Sequence, residues 1–464
     1  MNSSHHSRLQ TALQNATDTR ELALGSGVIF QTGELFKRFF PNQTAIPIAD
    51  CRTFAAAGQR VMESLQRAHC PVLDPVIFED NALHAEYRHV LRIRETLQAH
   101  AAIPIAIGSG TLNDLVKLAS HESGRAYMVA ATAASMDGYT AYGASITREG
   151  IKQTFSCPAP RVVVADIEIL AAAPPELTAA GYGDLLAKIP AGADWLLANE
   201  LGIEPIHTTA WSLVQHPLRE WLRHPDRLRQ GDSGAIARLA EGLIMTGFAM
   251  QAAQSSRPAS GAEHQFSHLW DMQDHRFQGR TPLHGWKVGI GALVASIFYE
   301  QILAAPMEQL DIAQIADAWP APDQLADQIN RRHALPHLKQ LALQESRAKY
   351  IDRAQLTRHL TQLKECWPRL QSRLREQLIS FAQMRDMLHQ AGAPTHPDEI
   401  GIDLPRLQRS CLEARQIRRR YTVLDLANET GLFPQCLKTL ADFPSPFPPC
   451  LLQSKIINLE PLTP

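Results

Sequence analysis

The sequence predicts an α/β domain followed in series by an all-helical one, and three observations carry that expectation. Between Glu21 and about Pro175, short apolar runs alternate with amphipathic stretches: A-I-P-I-A-D at 45–50, I-P-I-A-I-G at 103–108, Y-M-V-A-A-T at 127–132 and R-V-V-V-A-D at 161–166. That alternation is the pattern of buried parallel strands joined by crossover helices. After Pro174-Pro175 the texture changes, and helix formers dominate from Ala179 to about Leu440 with almost no β-branched runs. A chain of 464 residues also exceeds what one compact core ordinarily holds. The expected division is 1–178, 179–440, and a proline-rich tail at 441–464 that begins around F-P-S-P-F-P-P-C.

In the first half the connecting stretches Thr53 to Arg67 and Ala85 to His100 are long enough to be crossover helices. In the second, the longest apolar run, Val288 to Tyr299, reads as a buried helix, being too short for a membrane span. Ala348 to Trp367 and Pro368 to Gly392 place leucines among charges at helical spacing and are expected to be helical. The basic run Arg415 to Arg420 is expected as a solvated helix face.

Bulk composition narrows the function classes. With 45% hydrophobic and 20% charged residues the chain is an ordinary globular protein, and a net charge of −2 gives no electrostatic case for nucleic acid or for a membrane surface. The seven cysteines are scattered and never spaced C-x-x-C, which argues against a disulfide framework or a zinc knuckle and for reduced thiols. The opening residues lack the apolar core of a signal peptide, so a cytoplasmic protein is expected.

Three segments could carry chemistry. In I-A-I-G-S-G-T-L-N-D-L-V-K a strand turns through Gly108 and Gly110 into a helix that opens on Thr111, Leu112, Asn113 and Asp114. Its backbone N–H groups and the helix N-terminus suit a pyrophosphate, although G-x-G-x-x-G is absent and a plain strand-to-helix turn fits as well. Thr132, Ser135 and Asp137 follow the next strand, where ligands of open α/β sheets bind, while a self-capped loop is the alternative. Asp50 ends an earlier strand and could hold an adenosine ribose or cap the next helix. In the helical half, S-G-A-E-H-Q-F-S-H places His264 and His268 on one helix face, His284 follows in L-H-G-W-K-V-G, and Asp184 precedes both in G-Y-G-D-L-L. One carboxylate with two imidazoles suits a catalytic zinc, nickel or ferrous ion with an open position, though spacing alone does not single out a site among nineteen histidines.

Together G-S-G-T-L-N-D-L-V-K, T-A-A-S-M-D-G-Y-T-A-Y-G-A-S-I, G-Y-G-D-L-L-A-K, S-G-A-E-H-Q-F-S-H and L-H-G-W-K-V-G-I-G resemble, in order, the sn-glycerol-1-phosphate dehydrogenases, particularly their bacterial branch. That group lies within the superfamily of iron-containing alcohol dehydrogenases, glycerol dehydrogenases and dehydroquinate synthases. The likeness continues through E-S-R-A-K-Y, L-R-E-Q-L and R-R-R-Y-T-V-L-D-L-A, so it covers roughly residues 20 to 435.

The resemblance implies a Rossmann-like nucleotide-binding domain followed by an all-helical metal-binding domain, as in dehydroquinate synthase. Gly110 to Asp114, Thr132 and Ser135 match positions that bind NAD(H) or NADP(H), and Gly108 and Asp50 join them as candidates. Asp137 and His268 match substrate contacts; Asp184, His264 and His284 match ligands of one divalent ion, zinc or nickel, with Asp184 also close to substrate. One departure is visible: archaeal members carry a cofactor-contacting serine where this chain has Ala141, with Thr140 beside it. The implied reaction is reversible reduction of dihydroxyacetone phosphate to sn-glycerol 1-phosphate in the cleft between the halves, with Asp184 and His268 as catalytic candidates. Lys152, Lys188 or Lys287 would meet the phosphate. The resemblance also implies a homo-oligomer, most simply a dimer. Rival readings are a polyol dehydrogenase of the same fold, a dehydroquinate-synthase-like cyclase and a silent nucleotide- and metal-binding relative.

Overall fold

The computed structural model describes residues 3–79 and 83–445, so the expected tail from residue 446 onward lies outside the described residues. Six strands form one parallel sheet in the order β1-β8-β5-β4-β2-β3: β1 (Glu21–Gly25), β2 (Thr44–Asp50), β3 (Val76–Phe78), β4 (Ala102–Gly108), β5 (Met128–Ala131) and β8 (Val162–Asp166). The four apolar runs read from the sequence are the four inner strands, β2, β4, β5 and β8. Strands covered on both faces must be apolar at consecutive positions, which is what makes them legible. The two that escaped notice are the edges, where β1 is half-buried throughout and β3 is three residues long.

A second feature was also missed, an antiparallel hairpin of β6 (Ala144–Arg148) and β7 (Ile151–Phe155). Its two-residue turn, Glu149 and Gly150, holds φ of 54° and 77°, the positive pair that a tight hairpin turn needs. Glutamate is an uncommon residue in that position, so the turn carries no strong sequence signal. The hairpin rises beside α2 (Gly110–Glu122), the helix that follows β4.

Beyond the sheet the chain is helical, beginning with α3 (Pro175–Leu186) and α4 (Lys188–Glu200). The long α5 (Ser233–Ala253), α6 (Ala262–Met272) and α7 (His284–Ala304) follow. By length and composition α7 could cross a membrane, but 78% of its most apolar window is buried inside this fold, as expected for a core helix. Its glycines explain why. A Cβ on Gly285 would stand 1.8 Å from the Ala180 carbonyl oxygen on α3, and one on Gly291 would stand 2.5 Å from the Glu263 carbonyl oxygen on α6. Only glycine admits both helices that closely, and the sites they carry are thereby drawn together.

The proline at 368 does not break its helix: α8 (Arg353–Gln377) runs through it. Leu356, Leu360, Leu363, Trp367, Leu370 and Leu374 form one buried stripe across the proline. Packing on both sides of the ring offsets the roughly 3 kcal/mol that an interior proline costs.

Candidate active site

Between the carboxyl ends of β4 and β5 and the face of α6 and α7 lies a cleft with about 1120 Å³ of empty space, counting its open mouth. Its sheet-side wall starts where β4 gives way to α2. Ser109 occupies the N-cap of α2 but its hydroxyl makes no capping bond, which leaves first-turn N–H groups directed at the cleft. Gly110, Thr111 and Asp114 line this wall together with Ser135 and Asp137 from the loop after β5.

Other residues singled out from the sequence lie behind it. Gly108 ends β4 and its carbonyl accepts from Thr132 N at 3.2 Å; Leu112 is in the core. Asn113 is buried, donating to the Gly138 carbonyl at 3.0 Å and accepting from Tyr127 Oη at 3.0 Å. Asp50 caps the next turn by accepting from Thr53 N at 2.8 Å, which leaves its other carboxylate oxygen without a cap partner. Ala141 does line the cleft, and Thr140 cannot replace the hydroxyl missing there, because its Oγ1 donates to the Ile244 carbonyl on α5 at 2.6 Å.

The loop that carries Asp137 is fixed from two sides. The buried Lys117 donates to the carbonyls of Gly138, Ala141 and Gly143 at 2.9, 2.8 and 3.0 Å. From the helical side Gln251 Nε2 reaches the Thr140 carbonyl at 2.7 Å, and Asp137 N donates to Asp184 Oδ2 at 3.1 Å.

Opposite this wall, α3, α6 and α7 each contribute one side chain to a cluster. One donor atom from each of Asp184, His264 and His284 lies within 4.8 Å of the others. His264 Nε2 stands 3.5 Å from Asp184 Oδ1, and the two imidazole centroids are 5.2 Å apart. The far side of each ring is engaged: His264 Nδ1 meets Glu263 Oε1 at 2.9 Å, and His284 Nδ1 meets Ser267 Oγ at 3.1 Å. That arrangement leaves both Nε2 atoms for an ion and fixes the ring orientations, the usual outer support of a metal-binding histidine. Tetrahedral zinc at ~2.0–2.1 Å from each ligand needs donors roughly 3.3 Å apart. The donor types fit a divalent ion, and the 3.5 Å between His264 Nε2 and Asp184 Oδ1 is already close to that spacing.

Electrostatics favour the same use. Asp184 and Lys188 are both fully buried, and Lys188 Nζ pairs with Asp184 Oδ1 at 2.7 Å and with Asp137 Oδ2 at 2.6 Å. Burial opposes the Asp184 charge, but Lys188 and His264 hold the carboxyl well below the usual range. Burial also presses against His264, which its bonds to Asp184 and Glu263 nevertheless raise. His284 and His268 are driven well below the ordinary imidazole value, chiefly by burial. In His268 the positive charges of Arg418 and Lys152 add to that effect, and its Nδ1 has no hydrogen-bond partner among the described residues. A neutral imidazole thus lines the cleft one turn after His264, with centroids 6.3 Å apart.

Several residues at this site were not singled out from the sequence. Glu263 and Ser267 act through the histidine rings. Lys188, a candidate for the phosphate, is instead paired with Asp137 and Asp184, an ion pair for which its spacing of four from Asp184 carried a readable signal. The basic run corrects an expectation. Rather than a solvated face, Arg415 reaches Asp425 at 3.7 Å, Arg419 pairs with Glu345 at 2.9 Å, Arg420 donates to Ser256 Oγ at 3.0 Å, and Arg418 lines the cleft. The run begins at the end of the helix Leu404–Gln416 and leaves it, so helical periodicity ceased to predict where each side chain points.

Residues 23–174 match the family model described as iron-containing alcohol dehydrogenase. A glycerol-1-phosphate dehydrogenase [NAD(P)+] of Halalkalibacterium halodurans is 35% identical over 255 residues, covering 54% of this chain and 64% of the relative. One from Pyrococcus furiosus is 33% identical over 280 residues, covering 60% of this chain and 78% of the relative. Among solved structures, a probable glycerol dehydrogenase from Sinorhizobium meliloti superimposes with a TM-score of 0.58 at 15% identity, covering 91% of this chain and 98% of that one, which bears on the fold alone.

Proposed function

Since the chain belongs to the glycerol-1-phosphate dehydrogenase family, we propose that it reversibly reduces dihydroxyacetone phosphate to sn-glycerol 1-phosphate with NADH or NADPH. The observation that carries this reading is the convergence of Asp184, His264 and His284 on a cleft whose opposite wall is an uncapped helix N-terminus.

In this reading residues 1–178 hold the dinucleotide and 179–440 the metal. The α2 N-terminus at Gly110 and Thr111 takes the pyrophosphate, Thr132 and Ser135 position the nicotinamide half, and Asp50 receives the adenosine ribose. Asp184, His264 and His284 hold one divalent ion, zinc or nickel, which the donor types do not distinguish. When bound, the ion polarises the ketone oxygen as a Lewis acid, and the dinucleotide is the source of hydride. The protein's part is positioning and proton management. Asp137, held by Lys188, orients the substrate, and Asp184 stays ionised beside it. His268, whose neutral ring lines the cleft, relays the proton that converts the alkoxide oxygen to the product hydroxyl, taking one from solvent as it gives one up. A cytoplasmic compartment and a dimeric assembly belong to the same proposal.

The test is to follow NADH and NADPH oxidation with dihydroxyacetone phosphate and with unphosphorylated dihydroxyacetone, with and without chelator. Turnover of the phosphorylated ketone that disappears with chelator and returns with zinc or nickel is expected. Turnover of dihydroxyacetone alone would make the protein a polyol dehydrogenase instead.

A further inference from the structure

We propose that Arg418, with Lys152 beside it, forms the subsite that grips the phosphate of the substrate and makes the enzyme selective for a phosphorylated ketone; this rests on the reading of function above. Three lysines were candidates from the sequence, and their surroundings differ. Lys188 is fully buried, engaged by Asp137 and Asp184, and does not line the cleft. Lys287 is almost fully buried on α7 against Asp271 Oδ1. Lys152 stands on β7, lines the cleft and meets the same carboxylate through Oδ2 at 2.7 Å. One aspartate therefore serves two ammonium groups.

Arg418 differs from its neighbours in the basic run. Each of the others has a protein partner, whereas the Arg418 guanidinium lines the cleft and makes no hydrogen bond or ion pair with any described residue. A half-buried guanidinium in that setting has lost part of its hydration, and the anion that acts on it, Glu345, is already hydrogen-bonded to Arg419 at 2.9 Å. Ser256 and Ser260 also line the cleft, and Arg420 donates to both hydroxyls from behind, so the Ser256 proton is free to turn toward a ligand. With Glu345 already paired to Arg419, the three positive charges of Arg418, Lys152 and Lys287 outnumber the carboxylates of Asp271 and Asp114 that face them. That surplus matches a phosphate monoester, which carries about −1.5 to −2 at neutral pH.

The placement is also chemically apt. Arg418 and Lys152 are the two strongest charges acting on His268, which lies one helical turn from His264. In a phosphorylated three-carbon ketone, four bonds of about 1.5 Å separate the carbonyl oxygen from phosphorus, enough to span from the metal ligands to this corner. A planar guanidinium can then bind two phosphate oxygens at once.

The experiment compares wild type with Arg418→Ala and Arg418→Lys by steady-state kinetics on dihydroxyacetone phosphate and dihydroxyacetone, and by inhibition with inorganic phosphate. For Arg418→Ala, KM for the phosphorylated ketone and Ki for phosphate should rise by roughly 10- to 100-fold, the loss of one charge-assisted contact. Over the same comparison kcat, KM for NADH, metal content and KM for dihydroxyacetone should change by less than about 3-fold. Arg418→Lys, retaining charge without the fork, should recover part of the loss. A folded Arg418→Ala enzyme with unchanged KM and Ki overturns the proposal, as does an equal loss toward both ketones. A wild type that reduces no phosphorylated ketone overturns the functional reading instead. The subsite is then judged by calorimetric titration of inorganic phosphate, with equal affinity in wild type and variant counting against it and loss in the variant supporting it.

Discussion

Asp184 on α3 and Asp194 on α4 are both completely buried, and their surroundings drive them in opposite directions. Asp184 has the Lys188 ammonium at 2.7 Å and is held ionised. Asp194 accepts three hydrogen bonds, from Tyr299 Oη at 2.6 Å, Val423 N at 2.8 Å and Ala262 N at 2.7 Å, yet its carboxyl is pushed up to about 7 by burial and by the nearby Glu263. Three neutral donors and the nearby Arg257 do not offset burial and the like charge of Glu263, whereas an ammonium in direct contact with the carboxylate does. The two acids consequently do different jobs. Asp184 is an anion prepared for a metal. Asp194 is an architectural node: Ala262 and Val423 open two helices, and one carboxylate serves as the cap of both, fixing the start of α6 two residues before His264.

The strongest way to break the contrast is at the anion itself. Asp184→Asn should abolish stoichiometric zinc or nickel and lower turnover by at least about 10³-fold, because a neutral amide is a poor ligand for a hard ion. Elemental analysis of the purified variant checks it, and full metal occupancy would show that Asp184 is not a ligand. Next in size, Lys188→Met should cost about 3–5 kcal/mol by urea unfolding in chelator, since Asp137 and Asp184 are left as buried charges without a cation. Added zinc should restore part of that stability in the variant more than in wild type, an ion taking over the role of the ammonium. Metal-independent loss would mean that Lys188 acts only through packing.

The third prediction concerns Asp194 and pH. Its folded value near 7 lies above the ordinary 3.8, so the folded state holds the proton more tightly than the unfolded one. The associated stability is complete below about pH 4 and is lost as pH rises through about 7, up to about 4 kcal/mol. The stability of wild type minus that of Asp194→Asn should therefore shrink by a few kcal/mol between pH 4 and pH 8 in denaturant titrations. A constant difference would place Asp194 with Asp184 as an acid ionised throughout.

How much of this was legible in the sequence follows from what each feature depends on. The inner strands were readable because both of their faces are covered, and the edge strands were not because theirs are half-exposed. The helical half was readable, but not the continuity of α8 through Pro368, which depends on the stripe from Leu356 to Leu374 finding a partner on each side. The metal-site candidates came from ordered motifs. Glu263 behind His264, Ser267 behind His284 and the double duty of Asp194 are contacts between segments, and local spacing holds no trace of most of them. Arg418 illustrates the converse, a residue whose composition was plain and whose direction was not.

The loop from Asp137 to Gly143 has a mechanical consequence. It is tied to the sheet side by the three bonds of Lys117 and to the helical side by Thr140 and Gln251. Just before it, the Ala134 carbonyl oxygen lies 1.9 Å from where a Cβ on Gly181 would fall, and within it Thr140 Oγ1 and the Thr140 carbonyl carbon lie 2.1 and 2.8 Å from where one on Gly247 would fall. The loop therefore couples the two walls directly: a side chain added at Gly181 or Gly247 would press from the helical side on the segment that carries Ser135, Asp137 and Thr140.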